Sequence, residues 1–412
     1  MTPTHGPAAA AADDAADAAD ELAGRLTAYA VLAHDPAVPQ IAADYWAKSE
    51  DHYRAVDAAL AALVTGSPAA SAYAAVTGNP THVPAQRDLR TSLTTLLRQR
   101  PHQAAESARL VAGADERIWI DYHLGTDYLS ENPKALDIPE PSEPSKPAES
   151  PASPDPAGAP AHIVIPFRDR EGGLRTRNLL ACLRALADQA DGPAHRVTVV
   201  ETDVEPRTRE AVAGLVDDYV FAPKDGLFNK AWAVNVGVMS APGDPRYTCV
   251  LDADILVDRH FVARNTARLR DGAHGSHLPF RWSLSLDEPS TLRALALRVG
   301  EGAAEVPGSV LRGLLLREPP GGCVWLRTGL FHTVGGFDER FEGWGGEDDD
   351  VVARLSAAAP LVRFDDDLLH LNHPRPEMTR EDGQPFNAHL QPMVRTAAHA
   401  YGDPRKFSPG PA

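Results

Sequence analysis

Four clusters in this sequence combine residue types that do chemistry. The first, Asp252-Ala253-Asp254, follows the apolar run Tyr247–Leu251. Two carboxylates two residues apart repel unless a cation or solvent lies between them. A divalent ion that also bridges a ligand's phosphates is one solution, because hard cations take oxygen ligands; an ordinary turn cap is the other. The second cluster is Phe341-Glu342-Gly343-Trp344-Gly345-Gly346-Glu347-Asp348-Asp349-Asp350, ahead of a helical run at Val351–Leu355. Consecutive acids raise one another's pKa, which a helix N-terminus partly offsets. A solvated helix start would explain the acids, but not the indole and the glycines, which give a flat face and a backbone able to approach a ligand. The third cluster is His370-Leu371-Asn372-His373-Pro374, whose imidazoles at i and i+3 can reach one metal ion or stand as two loop histidines. The fourth is Arg168 and Arg170, suited to bidentate recognition of a phosphate or a uracil edge and equally at home on a plain surface.

The elements that must position these clusters alternate strand and helix. His162–Phe167 reads as a short apolar strand, Leu174–Gln189 as an amphipathic helix, and Arg196–Glu201 as a second strand. A helix near Arg207–Leu215, a strand at Asp218–Phe221, a helix over 229–240 and a buried strand at Tyr247–Leu251 follow. Such alternation predicts an α/β domain with a mostly parallel sheet flanked by helices. Ligands in such sheets sit at the carboxyl ends of strands, where Arg168-Asp169-Arg170 and Asp252-Ala253-Asp254 fall.

The rest of the chain divides by composition. Residues 1–20 are rich in Ala and Asp and read as a disordered acidic tail. Residues 21–131 read as a small all-helical domain, with stripes at Tyr53, Val56, Leu60, Leu63, Val64 and at Leu89, Leu93, Leu96, Leu97, and a third helix over about 102–112. Its aromatics Tyr29, Tyr45, Trp46 and Tyr53 read as core. Residues 132–160 carry a proline every two to six residues and read as a semi-rigid linker. The catalytic-type domain then spans 161–376, and 377–412 reads as a C-terminal helix and tail.

The formal charge of −17, from 40 basic and 57 acidic residues, argues against a nucleic-acid or anionic-membrane binder. Cys182, Cys249 and Cys323 are too few and too scattered for a disulfide framework or a CxxC zinc site, and read as buried thiols. The absence of a long apolar run or a secretory leader pattern leads us to expect a cytoplasmic protein without a membrane span.

Four segments, PFRDR (166–170), FNKAWAVNVGV (228–238), LDADILV (251–257) and GGFDERFEGWGGEDDDVVARL (335–355), occur in an order that resembles the β-1,4-galactosyltransferase family and its bacterial relatives, including chondroitin-type polymerases. The resemblance covers about 162–375. It implies a GT-A fold and inverting transfer of a sugar, galactose, N-acetylgalactosamine or similar, from a UDP-sugar to a hydroxyl of a carbohydrate or small-molecule acceptor, with Mn²⁺. By position, Arg168, Arg170, Phe228 and Lys230 match nucleotide-binding residues. Asp252 would lie near the donor sugar, and Asp254, His370 and His373 would hold the metal. Trp344 and Gly345 would line the junction of donor and acceptor, Asp348 would be the catalytic base, and Glu347 and Asp349 would surround the donor sugar and acceptor.

Three departures bear on detail. Animal members carry Met where His370 falls, and an imidazole is a harder ligand than a thioether, so Mg²⁺ or another divalent ion is also expected to serve. A helical-looking stretch at about 286–320 intervenes between the DAD motif and the acidic motif. The position that helps select the donor sugar falls at Pro319-Pro320, unlike the usual residue, so galactose is not assumed. Two rival readings are a sugar nucleotidyltransferase, for which PFRDREGG is a poor phosphate loop, and a non-catalytic saccharide-binding module on the same fold.

Overall fold

The computed structural model describes residues 7–129, 161–170, 172–391 and 400–408. The chain forms two compact units: Met1–Ser130 together with Arg312–Arg317, and Glu131–Leu311 together with Glu318–Ala412.

The first unit contains helices α1 (Pro7–His34), α2 (Val38–Ile41), α3 (Ala43–Val64), α4 (Ala69–Gly78), α5 (Val83–Gln99) and α6 (Pro101–Asp115), then strand β1 (Ile120–Leu124). Prolines stand in the first turns of α5 and α6, where their missing N–H costs no helical bond. The stripes read from the sequence face inward, and Tyr29, Tyr53, Val56, Leu60, Leu89 and Leu93 are buried in one core. Tyr45 and Trp46 pack against it as partly buried neighbours, and the Tyr53 hydroxyl donates to the Ile120 carbonyl. Two expectations change. Helix α1 starts at Pro7, inside the stretch read as a tail. The unit is also not all-helical: β1 pairs antiparallel with Arg312–Arg317, Tyr122 opposite Leu314, and Leu314 joins the core.

The second unit holds β2 (Ala161–Phe167), α7 (Leu174–Ala187), β3 (His195–Glu201), α8 (Arg209–Val212), β4 (Asp218–Phe221), α9 (Lys230–Met239), β5 (Tyr247–Leu251), β6 (Ile255–Leu256), α10 (Phe261–Asp271), β7 (Ser276–Leu286) and α11 (Glu288–Leu295). After β8, the Arg312–Arg317 strand already described, come β9 (Cys323–Arg327), α12 (Thr328–Val334), α13 (Glu347–Ala358) and β10 (Leu361–His370). The sheet order runs β7-β9-β5-β2-β3-β4. Strands β5, β2, β3 and β4 are mutually parallel, β9 is antiparallel to β5 and β7, and β10 runs parallel to β7. The result is the mixed sheet with a parallel core flanked by helices that the alternating pattern implies. Every residue of β2 is buried, as expected of a strand covered on both faces. The stretch expected to be helical over 286–320 is so only in its first part: α11 ends in a π-helical turn at Ala296–Gly300, and the chain then supplies β8.

The Pro-rich segment 132–160 lies outside the described residues. So does part of 377–412, where a helix was expected; its described residues, 377–391 and 400–408, hold loops and turns. All three cysteines are free and buried. Among the described residues no helix is long and apolar enough to cross a membrane.

Candidate active site

The four clusters surround one cleft of about 450 Å³ at the carboxyl ends of β2 and β5. Its position follows from the sheet: both strands run in the same direction, so the loops that leave them emerge on the same edge.

Asp254 sits one residue before β6. Strand β10 pairs antiparallel with β6, His370 opposite Ile255, and the Leu371 N–H donates to the Asp254 carbonyl at 2.8 Å. That register brings His370 Nε2 to 3.6 Å from Asp254 Oδ1 and His373 Nε2 to 3.0 Å from Asp254 Oδ2. One ligand atom from each residue lies within 4.8 Å of the others. His373 Nδ1 stands 2.7 Å from the Pro374 carbonyl, a contact that fixes the ring's orientation toward Asp254. The intervening Asn372 is held by Asn178, whose Nδ2 donates to its carbonyl at 3.0 Å, and by Thr291 Oγ1, which accepts its N–H at 2.8 Å. Burial alone would raise the Asp254 carboxyl, but the two imidazoles hold it well below the carboxylate range. Burial pushes His370 down to about 4, so its ring is neutral at pH 7. Asp254 Oδ1 is buried with no hydrogen-bond partner, which is costly unless something occupies the space beside it. One carboxylate and two imidazoles are a donor set that suits a first-row divalent ion. The residues fit a metal.

Across the cleft, Lys230 begins α9. Asn229 caps that helix by accepting the Trp232 N–H at 2.7 Å, which fixes where the Lys230 side chain starts. Its ammonium lies 2.9 Å from Asp252 Oδ1 and 2.8 Å from Asp348 Oδ2. Burial opposes the charged form of Lys230, yet Asp252 and Asp348 raise it well above its ordinary value. Asp252 is pushed up by burial and by the neighbouring Asp348 and Asp254, against the pull of Lys230. Glu347 is pushed up to about 8, first by burial and then by Asp348. The raised pKa expected of clustered acids is found at Glu347. A Cβ on Gly321 would collide with the Asp348 carboxylate in its present position, so the glycine leaves that carboxylate its place beside Lys230.

At the strand ends, Arg168 donates to the carbonyls of Thr202, Gly226 and Lys224 at 2.6, 2.7 and 2.8 Å. It also lies 5.7 Å from the Phe228 ring centroid. Arg170 pairs with Asp203 at 2.8 Å. These arginines hold the loop after β4 in place as well as lining the cleft.

The FNKAWAVN motif is explained by what its asparagines grip. Asn229 Nδ2 donates to the Glu339 carbonyl at 2.9 Å, and the Asn235 amide both donates to the Phe337 carbonyl and accepts its N–H. The motif and GGFDERF are therefore two sides of one clamp that delivers the acidic helix α13.

Residues 316–374 match a family model described as the N-terminal domain of galactosyltransferase. The similarity is to this stretch and not to the whole chain. The stretch carries Trp344, Glu347, Asp348, His370 and His373, while Arg168, Phe228, Lys230, Asp252 and Asp254 come from outside it. No curated protein matches the chain. Among solved structures, a variant of Drosophila β-1,4-galactosyltransferase 7 in complex with manganese, UDP-Gal and xylobiose is similar at 19% identity and a TM-score of 0.30, covering 50% of this chain and 64% of that one. S. aureus TarS with UDP-GlcNAc is similar at 13% identity and a TM-score of 0.37, covering 52% and 59%. The chain therefore spans less than two thirds of each.

Two of the residues singled out in the sequence are not brought into the cleft. Asp349 is exposed on the first turn of α13, and neither it nor Gly345 lines the cleft. Asp350 is taken up by Arg354, at 2.9 and 2.5 Å. Conversely, Arg175, Arg375 and Phe386 line the cleft and were not anticipated. Arg175 had only a place in an amphipathic helix to mark it, and Arg375 and Phe386 fall in a stretch without periodicity.

Proposed function

We propose that this protein transfers a sugar from a UDP-sugar to an acceptor hydroxyl, with inversion, in a reaction that depends on a divalent ion such as Mn²⁺. The observation that carries the reading is the pairing, in one cleft, of the Asp254–His370–His373 donor set, with its unpartnered oxygen, and the Lys230–Asp252–Asp348 cluster. A divalent ion held by Asp254, His370 and His373 would offset the negative charge of the departing diphosphate.

The chain's own residues have the following parts in this reading. Arg168, Arg170 and Phe228 form the nucleotide end, with Arg168 stiffened by its three carbonyl bonds. Asp348 is the base: its carboxylate takes the proton of the acceptor hydroxyl as that oxygen attacks the anomeric carbon opposite the leaving group. Lys230 supplies the counter-charge that holds Asp348 and Asp252 side by side. Glu347, protonated at neutral pH, donates a hydrogen bond to a sugar hydroxyl, and Trp344 offers its face to the acceptor.

A panel of UDP-sugars scored for UDP release with Mn²⁺ tests the reading. Activity is expected with at least one sugar, and is expected to disappear in folded Asp348→Asn and Asp254→Ala proteins. Turnover indifferent to EDTA, or a fully active Asp348→Asn, overturns it.

A further inference from the structure

The loop that carries Trp344 is held from elsewhere in the chain, in part by the Gly343 N–H, which donates to the Phe228 carbonyl at 2.8 Å. After His373 the chain runs through an irregular segment whose residues 379–385 form a small turn, closed by a bridge between Thr379 and Pro385. Residues 381–385 are exposed, and Phe386 and Asn387 turn inward. The Asn387 side-chain amide then contacts the Trp344 loop repeatedly. Its Oδ1 accepts the Glu342 N–H at 3.2 Å, and its Nδ2 donates to the carbonyls of Glu342 at 3.1 Å and Gly345 at 2.7 Å. One side chain thus satisfies backbone groups on both sides of Trp344. Phe386 lies against the same loop: a Cβ on Gly343 would stand 3.0 Å from its ring, and the ring lines the cleft beside Trp344 and Leu227.

Trp344 and Leu227 are 40% and 43% exposed, so this rim offers apolar surface to solvent. The metal-type donor set and the acids lie deeper. An exposed apolar rim above a polar floor suits a ligand with a flat apolar face and a hydroxyl directed inward, such as a pyranose ring or an aromatic glycoside.

We infer that Asn387 is a positioning residue for the acceptor, acting through the Trp344 loop. The inference rests on the glycosyltransferase reading above. An amide that bonds the backbone on both sides of Trp344 restricts the indole to one setting before the acceptor arrives, which lowers the ordering cost of binding.

The test uses the full chain, Asn387→Ala and Asn387→Asp. The aspartate has the same shape but no N–H donors, so it separates lost bonds from lost volume. Backbone amide exchange over 341–346 is expected to rise in both variants. With methyl and p-nitrophenyl β-glycosides as acceptor probes, the acceptor KM is expected to rise about tenfold, as two modest hydrogen bonds imply. The KM for the UDP-sugar is expected to stay within about twofold, a split that general loosening of the fold would not produce. Unchanged exchange, or donor and acceptor KM values that move together, overturns the inference. If the wild type releases no UDP from any UDP-sugar, the reading of the function fails, and amide exchange alone then decides whether Asn387 holds the loop.

Discussion

Replacing Lys230 with methionine removes the one ammonium that touches both Asp252 and Asp348. Each contact is close, 2.9 and 2.8 Å, and the three side chains are 11%, 28% and 20% exposed. At an effective dielectric constant of about 20, unit charges at such a separation attract by about 6 kcal/mol. Desolvation offsets most of that, and removing one member of a buried pair costs about 3–5 kcal/mol. Because both carboxylates keep some water, the expected loss is at the low end, about 2–3 kcal/mol, or a melting temperature lower by about 5–10 °C for a domain of this size. The pH dependence gives a sharper test. Without the cation, the carboxyls of the folded state bind protons more readily than those of the unfolded chain. The deficit is then greatest above their pKa values and shrinks as pH falls. Scanning calorimetry in EDTA at pH 7.5 and pH 5 should show the gap between wild type and Lys230→Met narrowing at the lower pH. Lys230→Met/Asp348→Asn should recover about half of the loss at pH 7.5. A Lys230→Met protein that melts with the wild type at pH 7.5, or a gap that is the same at both pH values, would refute the view that Lys230 holds the acids together.

Glu347 gives a second, opposite signature. Its carboxyl is displaced upward to about 8, so the folded state keeps a proton that the unfolded chain has lost. Metal-free stability should therefore fall as pH rises from about 5 to 8, by no more than about 1.4 kcal/mol per pH unit. In Glu347→Gln, urea midpoints measured across that range should decline less steeply than in wild type. In the first unit, Leu314 is 7% exposed within the helical core. Leu314→Ala should destabilise the helical unit by about 2–4 kcal/mol, read as an earlier loss of helical circular dichroism on heating.

The parts legible in the sequence are those with a local cause. Strands β2 and β5 were visible because fully buried strands read as apolar runs, and α13 because its acids cluster at its N-terminus. The metal-type triad was legible only as separate halves, Asp254 in one motif and His370 with His373 in another. What joins them is the β10–β6 register, a long-range pairing that no local pattern encodes. Assigning the raised pKa to Glu347 required knowing which acid is buried and which faces Lys230, and consecutive acids on a helix point about 100° apart. Phe386 and Asn387 could not be found by periodicity, because the segment that bears them has none; their role comes from contacts with a loop some 40 residues earlier. Strand β8 was read as helix because a run such as Arg312–Arg317, leucine-rich and short, does not separate the two states.

That strand has a bearing on how the protein is made. The helical unit is encoded first, yet its β1 edge stays unpaired until Arg312–Arg317 have left the ribosome, after most of the α/β unit has been synthesised. Until then Tyr122 and its neighbours present an open strand edge, the kind of surface that recruits foreign strands and chaperones. The N-terminal unit is therefore not a detachable module. A fragment ending near residue 130 would lack one of its own strands, and a fragment beginning near 161 would carry that strand without β1. Completion of the first unit reports that translation has passed β8, so the two units mature in an order set by the thread of the chain.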